Sequence, residues 1–150
     1  MQRREVVHVD EVEPMTFPSG ESHASLICSD GVGSTDLTVS QYILNSHCRN
    51  GGAVHRQNDE AYYVLRGHAR VLLGGSDADG SGGRWHDLEP EMAVFIPAGT
   101  FHHLRNDSDE DFVILTLCPR PPAAPGSGLV NEIKKNEWGT TFRLRGAVSA

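Results

Sequence analysis

Short runs of apolar and β-branched residues recur along most of the chain and are separated by polar turn segments. Each run has the length of a β-strand, and no amphipathic helical spacing is evident before residue 128. The predicted strands cover residues 25–28, 37–44, 61–65, 69–73, 84–88, 93–96 and 112–117. The pattern therefore predicts an all-β fold, either a mostly antiparallel barrel or a two-sheet jelly roll.

The segments between the strands are rich in the Gly, Asn, Asp and Ser residues that turns need. The longest, residues 74–83, contains Asp77-x-Asp79-Gly80, which is similar to part of a calcium-binding EF-hand loop. The last ligand position of such a loop would hold Leu88 instead of a glutamate, and no flanking helices are predicted. We therefore interpret this segment as a flexible hairpin loop.

The chain of 150 residues fits a single domain with an extension at its C-terminal end. Residues 1–36 are predicted to form N-terminal strands packed on a barrel core at 37–118. Residues 119–150 begin with a Pro/Gly-rich connector, because its four prolines cannot enter a central strand. Trp138 and Phe142 indicate a tail that packs on the barrel or on a partner subunit, with a loose tail as the alternative.

Composition narrows the cellular setting and the class of partner. The three cysteines are far apart in the sequence, which argues against a disulfide framework and favours a reducing compartment. The N-terminal segment has no uninterrupted apolar run, so we expect a cytoplasmic protein without a membrane span. With 13 basic and 20 acidic residues the net charge is −7, which argues against a nucleic-acid partner.

Potential metal ligands concentrate in two neighbourhoods where a strand meets a turn. In the first, His55 and Gln57 share a strand face, whereas Glu60 has the opposite parity. Glu60 joins them only if a turn at residues 58–59 resets the register, and Asn-Asp suits such a turn.

The second neighbourhood begins with the turn at residues 97–99, which ends one strand and starts another. In the strand that follows, His102 and Leu104 share a face and His103 points away. Imidazoles and a carboxylate that converge from adjacent strands suit Fe(II), Mn(II), Ni(II) or Zn(II), with open positions for water, substrate or O₂.

These two segments resemble the paired motifs of the cupin superfamily, G(x)5HxH(x)3–4E(x)6G and G(x)5PxG(x)2H(x)3N. The second motif matches from its proline onward as Pro97-x-Gly99-x2-His102-x3-Asn106, and Glu91 occupies its leading glycine position. In the first motif, Glu60 stands at the right distance from a following glycine. The resemblance covers residues 37–117 and implies a cupin-type jelly-roll β-barrel.

The resemblance also implies a single divalent metal ion held by His55, Glu60 and His102. Two residues of the first motif differ: Gln57 replaces the second histidine, and Arg49 replaces the first glycine. The expected site therefore has two histidines, one glutamate and either Gln57 or water. Two histidines and one carboxylate favour Fe(II) over Mn, Ni or Zn.

The leading functional hypothesis is a metal-dependent enzyme that acts on a small organic molecule inside the barrel, most simply a non-haem Fe(II) oxygenase. The alternatives are an isomerase, lyase or cyclase that uses Mn, Ni or Zn, and a non-catalytic small-molecule-binding cupin. Tyr62, Val64 and Leu104 are the predicted pocket residues. Small cupins often pair through edge or terminal strands, so we expect a homodimer.

Overall fold

The computed structural model describes residues 4–28, 31–119 and 145, and this part of the chain is almost entirely β-structure. Its single helical element is one turn of 3-10 helix at Val9–Glu11. No helix in these residues is long and apolar enough to cross a membrane. The strands are β1 (Met15–Phe17), β2 (Glu21–Ile27), β3 (Leu37–Leu44), β4 (Ala53–Val54), β5 (Glu60–Arg66), β6 (Ala69–Leu73), β7 (Arg84–Leu88), β8 (Ala93–Ile96), β9 (Phe101–Arg105) and β10 (Phe112–Pro119). The all-β prediction is confirmed.

The strands form two antiparallel sheets. The larger sheet has the order β1-β2-β3-β10-β5-β8, and the smaller sheet has the order β4-β9-β6-β7. The chain crosses from one sheet to the other after β3, β4, β5, β7, β8 and β9. These crossings enclose one interior between the two sheets, as expected for a jelly roll.

Side chains alternate between this interior and the outside. In β5, Tyr62 and Val64 are buried, whereas Tyr63 and Leu65 are 40% and 42% exposed, as the strand periodicity predicts. Burial of one large apolar side chain stabilises a fold by roughly 1.5–3 kcal/mol. The largest fully buried apolar side chains are Phe112, Leu44, Ile96, Leu104 and Ile114.

Residues 74–83 form a loop that packs against a second, smaller apolar cluster. Leu72 and Phe101 belong to this cluster and are buried together with Val54. Gly80 of the loop is buried, and a Cβ atom there would lie 2.6 Å from the side chain of Leu72 and 2.6 Å from that of Phe101. The expectation of a flexible loop did not anticipate this packing, which shields two large apolar side chains from water.

Two turns contain motif positions at which the backbone has a positive φ. Gly67 ends β5 with a φ of +82°, and a Cβ atom there would collide with the backbone carbonyl of Asp111. Glu91, at the position where the second motif has a glycine, also adopts a positive φ, of 73°. A side chain in this left-handed region is strained, so the missing glycine has a local energetic cost.

The N-terminal strands extend the larger sheet, because β1 pairs with β2 and β2 pairs with β3. Arg145 contacts the segment before β1, where its backbone N–H donates to the carbonyl of Glu11 at 2.8 Å. The predicted connector and tail, with Trp138 and Phe142, otherwise lie outside the described residues. The division at residues 36 and 118 stays a prediction.

Candidate metal centre

Three side chains from separate segments bring donor atoms together in the interior. His55 Nε2 lies 3.0 Å from Glu60 Oε2, and His102 Nε2 lies 3.3 Å from the same oxygen. All three donor atoms are within 4.8 Å of one another. Across the described ranges, this is the one group of three or more His, Cys, Asp or Glu side chains with such spacing. We refer to these three residues, which could hold a metal ion, as the metal ligands.

The turn at residues 97–100 positions both histidines. Gly99 has a φ of +80°, and the turn closes with a backbone hydrogen bond from Thr100 N–H, as in a type II turn that requires glycine at this position. The N–H of Gly99 donates to the carbonyl of His55 at 2.7 Å. The carbonyl of Thr100 lies 3.1 Å from His102 Nδ1. One turn therefore contacts both histidine-bearing segments.

The break between β4 and β5 brings Glu60 to the same face as His55. His55 follows β4 directly, β5 begins at Glu60, and the residues between them form no strand. Asp59 fixes this break, because its Oδ1 accepts a hydrogen bond from the N–H of Ala98 at 2.9 Å. Glu60 therefore joins His55 at the interior, but the bend lies at residues 56–57 and not at the expected residues 58–59.

The electrostatic environment favours an ionised Glu60 carboxylate. Burial alone would raise the pKa of Glu60, but the imidazoles of His102 and His55 outweigh burial and lower this pKa to about 2. His102 Nδ1 lies within hydrogen-bond distance of a backbone carbonyl, and this contact directs Nε2 to the carboxylate. A cation between these atoms would satisfy both lone-pair donors.

The donor set fits a divalent metal ion. Neither carboxylate oxygen of Glu60 receives a hydrogen bond from the described residues, although the side chain is only 1% exposed. A buried carboxylate costs several kcal/mol unless a cation or hydrogen-bond donors compensate its charge. Two ligand atoms that each lie about 2.1 Å from a metal ion, with a right angle between them at the ion, are about 3 Å apart. The separations of 3.0 and 3.3 Å agree with that arrangement.

The other predicted site residues lie in different environments. Gln57 is exposed, in the bend that follows His55, and does not line the interior cavity. Tyr62 and Leu104 line the cavity, whereas Val64 belongs to the apolar core and does not reach it. The structure thus brings His55, Glu60 and His102 together and leaves Gln57 outside, since the bend turns its side chain away from the interior.

A cavity of about 40 Å³ adjoins the metal ligands. At roughly 10–15 Å³ for each water molecule, it has room for about three. Glu21, Tyr42 and Asn50 supply polar atoms to its wall, and the sequence analysis did not identify them. Glu21 lies before the predicted start of its strand at residue 25, and Tyr42 lies in a strand whose inward face the sequence left open.

Comparisons with known proteins agree with this fold. Residues 47–118 match the family model described as the cupin domain. A search of the curated proteins found no significant match.

Solved structures show where the same fold occurs. The polyketide cyclase RemF from Streptomyces resistomycificus is 23% identical with a TM-score of 0.66, over 81% of this chain and 83% of that one. A predicted oxalate decarboxylase from Thermotoga maritima is 17% identical with a TM-score of 0.65, over 77% and 98%. The Bacillus subtilis oxalate decarboxylase, which has Mn(II) centres, is 20% identical with a TM-score of 0.65, over 77% of this chain and 30% of that one.

At these identities the structures establish a shared fold, and the family match covers the segment that carries the site. The segment 47–118 contains all three metal ligands and the turn that positions them. Residues 47–118 therefore match the cupin domain, and the chain has a cupin-type jelly-roll fold.

Proposed function

We propose that this protein is a divalent-metal-dependent enzyme that acts on a small, oxygen-bearing organic molecule in the barrel interior. The observation that carries the proposal is the buried convergence of His55, Glu60 and His102 next to a polar cavity. Three protein ligands leave coordination positions for water or substrate, whereas a purely structural metal site uses its full ligand set.

The metal ligands would hold the ion without Gln57, which is exposed. When bound, the ion would supply Lewis acidity and open positions for substrate oxygens and, in the case of Fe(II), for O₂. The two-histidine, one-carboxylate set supports Fe(II), while the Mn(II) centres of the similar Bacillus enzyme support Mn(II). Our leading proposal remains a non-haem Fe(II) oxygenase.

The residues of the cavity wall select the substrate by size and polarity. Leu104 and Ile114 give the wall apolar surface, and Asn50 and Thr116 add polar groups. The volume of about 40 Å³ suits a molecule of a few heavy atoms, or the reactive end of a longer one. A small carboxylate or carbonyl compound fits both features.

The second candidate is a lyase or cyclase that does not consume O₂. It is supported by the similarity to a polyketide cyclase and to oxalate decarboxylases. Oxygen-electrode and substrate-loss assays on Fe(II)-, Mn(II)-, Ni(II)- and Zn(II)-loaded protein, with a panel of small hydroxy acids and dicarbonyl compounds, separate the candidates. Turnover with O₂ uptake supports the oxygenase, and turnover without it supports the lyase or cyclase. Binding without turnover would favour a non-catalytic cupin.

The location of the substrate site is tested by two matched substitutions. Ala53 lines the cavity, whereas Ala61 lies on β5 with the parity that points outward; both are half-buried. We expect Ala53→Leu to retain the metal and to weaken oxalate binding to the metal-loaded protein at least tenfold, measured by calorimetry. Ala61→Leu should bind oxalate like the wild type. Equal affinities in both variants would place the ligand outside this cavity.

A further inference from the structure

We propose that Glu21, acting through Tyr42, accepts the proton that a small acidic or enolisable substrate loses when it binds beside the metal ligands. Tyr42 would touch the substrate, and Glu21 would be a positioning and proton-holding residue behind it. The inference rests on the proposed function, because the metal ligands define where the substrate lies. It also limits the substrate class to molecules that are protonated in solution and bind as anions.

The two side chains form a buried pair in the cavity wall. Tyr42 Oη donates a hydrogen bond to Glu21 Oε1 at 2.6 Å. Tyr42 pairs with His23 in the register of β2 and β3, so Glu21, two residues earlier in β2, faces the same interior. Both Glu21 and Tyr42 are buried, and both line the cavity that adjoins the metal ligands.

Asn50 fixes the direction of the tyrosine proton. Its Oδ1 accepts hydrogen bonds from the backbone N–H groups of Leu104 at 2.9 Å and Gly52 at 3.2 Å. The amide nitrogen of Asn50 must then point the other way, and it lies 3.5 Å from Tyr42 Oη as a weak donor. The phenol hydrogen is therefore directed to Glu21, and a lone pair of Tyr42 Oη remains for the cavity.

Tyr42 is suited to pass a proton on without losing its own. Burial, with the Glu21 carboxylate next to it, raises the pKa of Tyr42 well above its ordinary value. A free tyrosinate is therefore disfavoured, and the phenol transfers its proton only as it receives another. A molecule that fills a cavity with room for about three waters contacts the walls on all sides, so it reaches Tyr42 from beside the metal ligands.

The transfer balances without a further reagent. The substrate O–H or C–H bond breaks, its electron pair stays on the substrate, and its proton forms a bond with Tyr42 Oη. In the same step the Tyr42 O–H bond breaks and that proton bonds to Glu21 Oε1. The result is a substrate anion, a neutral tyrosine and a neutral Glu21.

A route to solvent restores the carboxylate after the bound anion has left. Ser19, in the turn between β1 and β2, is exposed, and its Oγ donates to Glu21 Oε2. Glu21 therefore connects the cavity, through Tyr42, with a hydroxyl at the protein surface.

Other titratable groups surround the pair but do not take its place. His23 is buried on the same face of β2 and does not line the cavity. Tyr62 lines the cavity, and burial, followed by the charge of Glu60, raises its pKa well above its ordinary value. The carboxylate of Glu60 belongs with the two histidine metal ligands. His103 packs against Trp85, and burial, followed by the charges of Arg49 and Arg105, lowers its pKa, while the charge of Glu21 acts in the opposite direction.

Proton counting during ligand binding tests the inference without an activity assay. Acetohydroxamic acid is a small neutral acid that chelates metals through two oxygens after it loses its proton. We would titrate it into Zn(II)-loaded protein by calorimetry at neutral pH, in two buffers of different ionisation enthalpy. The wild type should bind the probe with no net proton release, because Glu21 retains the proton. Glu21→Gln should release one proton for each probe molecule bound.

Two further variants complete the experiment. Tyr42→Phe interrupts the relay and should also release one proton, which provides a second route if Glu21→Gln fails to fold. Glu89→Gln removes an exposed carboxylate and should behave like the wild type. A wild type that releases a full proton while it binds Zn(II) and the probe would overturn the inference and leave the proposed function standing. Failure to bind Zn(II), or failure of the metal-loaded protein to bind the probe, would overturn both.

Discussion

Asn106, the last residue of the second cupin motif, organises the connection between β9 and β10 with one side chain. It is fully buried, and its Nδ2 donates to the backbone carbonyls of Leu44, Asn45 and Glu110 at 3.1, 3.2 and 2.8 Å. Its Oδ1 accepts from both the N–H and the hydroxyl of Ser108. These hydrogen bonds give Asn106 a structural role.

Replacement of Asn106 with alanine should destabilise the fold strongly. The substitution leaves buried carbonyls without donors, and each unsatisfied group costs about 1–3 kcal/mol, so we expect a loss of about 2–4 kcal/mol. Urea unfolding measures this change. Asn45→Ala is the control, because that side chain is exposed, and its effect should stay within about 0.5 kcal/mol. Equal midpoints for the two variants would contradict the structural role.

At the same scale, the sequence predicted the metal ligands but not the opposite wall of the cavity. The spacing of the two motifs predicts that the side chains of His55, Glu60 and His102 converge. Glu21 and Tyr42 meet only through the register of β2 and β3, 21 residues apart in sequence. Polar residues that alternate along a strand normally indicate a face exposed to solvent. The sequence around Glu21 and Tyr42 therefore did not indicate that their side chains point inward.

The turn before β8 shows how an element tolerates a motif departure. Residues 89–92 form a turn closed by the hydrogen bond from Met92 N–H to the carbonyl of Glu89 at 3.2 Å, with Pro90 second and Glu91 third. The third position of a type II turn requires a positive φ, which Glu91 supplies at 73°. Arg49, which replaces the first motif's glycine, is not among the described residues with positive φ. Of the two positions where another residue replaces a motif glycine, only Glu91 therefore has a strained backbone.

Glu91→Gly should stabilise the protein. Removal of the left-handed strain outweighs the added freedom of the unfolded chain, for a gain of about 0.5–1 kcal/mol. Thermal unfolding detects this as a higher midpoint. Glu89→Gly, at a neighbouring turn position without positive φ, should lower the midpoint instead. A lower midpoint for Glu91→Gly would show that its conformation carries no strain.

Strand prediction succeeded where apolar runs have clear turns at both ends. The bounds of β3, β6, β7 and β8 agree with the predicted runs. The strands β1 and β4 were missed because they have only three and two residues, too few for a periodic pattern. The strand β9 was inferred only through its histidines, since its sequence Phe-His-His-Leu-Arg is mostly polar.

At the scale of the whole molecule, the exposed apolar side chains are relevant to assembly. The strand β8 is an edge of the larger sheet, and its Phe95 is 63% exposed. Tyr63 and Leu65, on the neighbouring strand β5, are exposed as well. An uncovered apolar edge favours pairing with another chain, so we propose a homodimer that buries β8.

The homodimer prediction is tested by the mass in solution. Light scattering should give twice the mass of the 16.3 kDa chain. Phe95→Lys places a charge in the proposed interface and should shift the population to monomer. Glu110→Lys, an exposed charge reversal in the turn before β10, is the control and should leave the dimer intact. A monomeric wild type would refute the proposal.

The central claim is a metal ion held by His55, Glu60 and His102 inside the barrel, and metal content tests it most directly. Elemental analysis of protein purified without chelator should find close to one transition metal ion per chain. Glu60→Gln should lower the metal affinity by at least about 100-fold, whereas Gln57→Ala, at the exposed motif position, should retain the metal. A metal-free wild type, or a Glu60→Gln variant that holds metal as tightly as the wild type, would contradict the account.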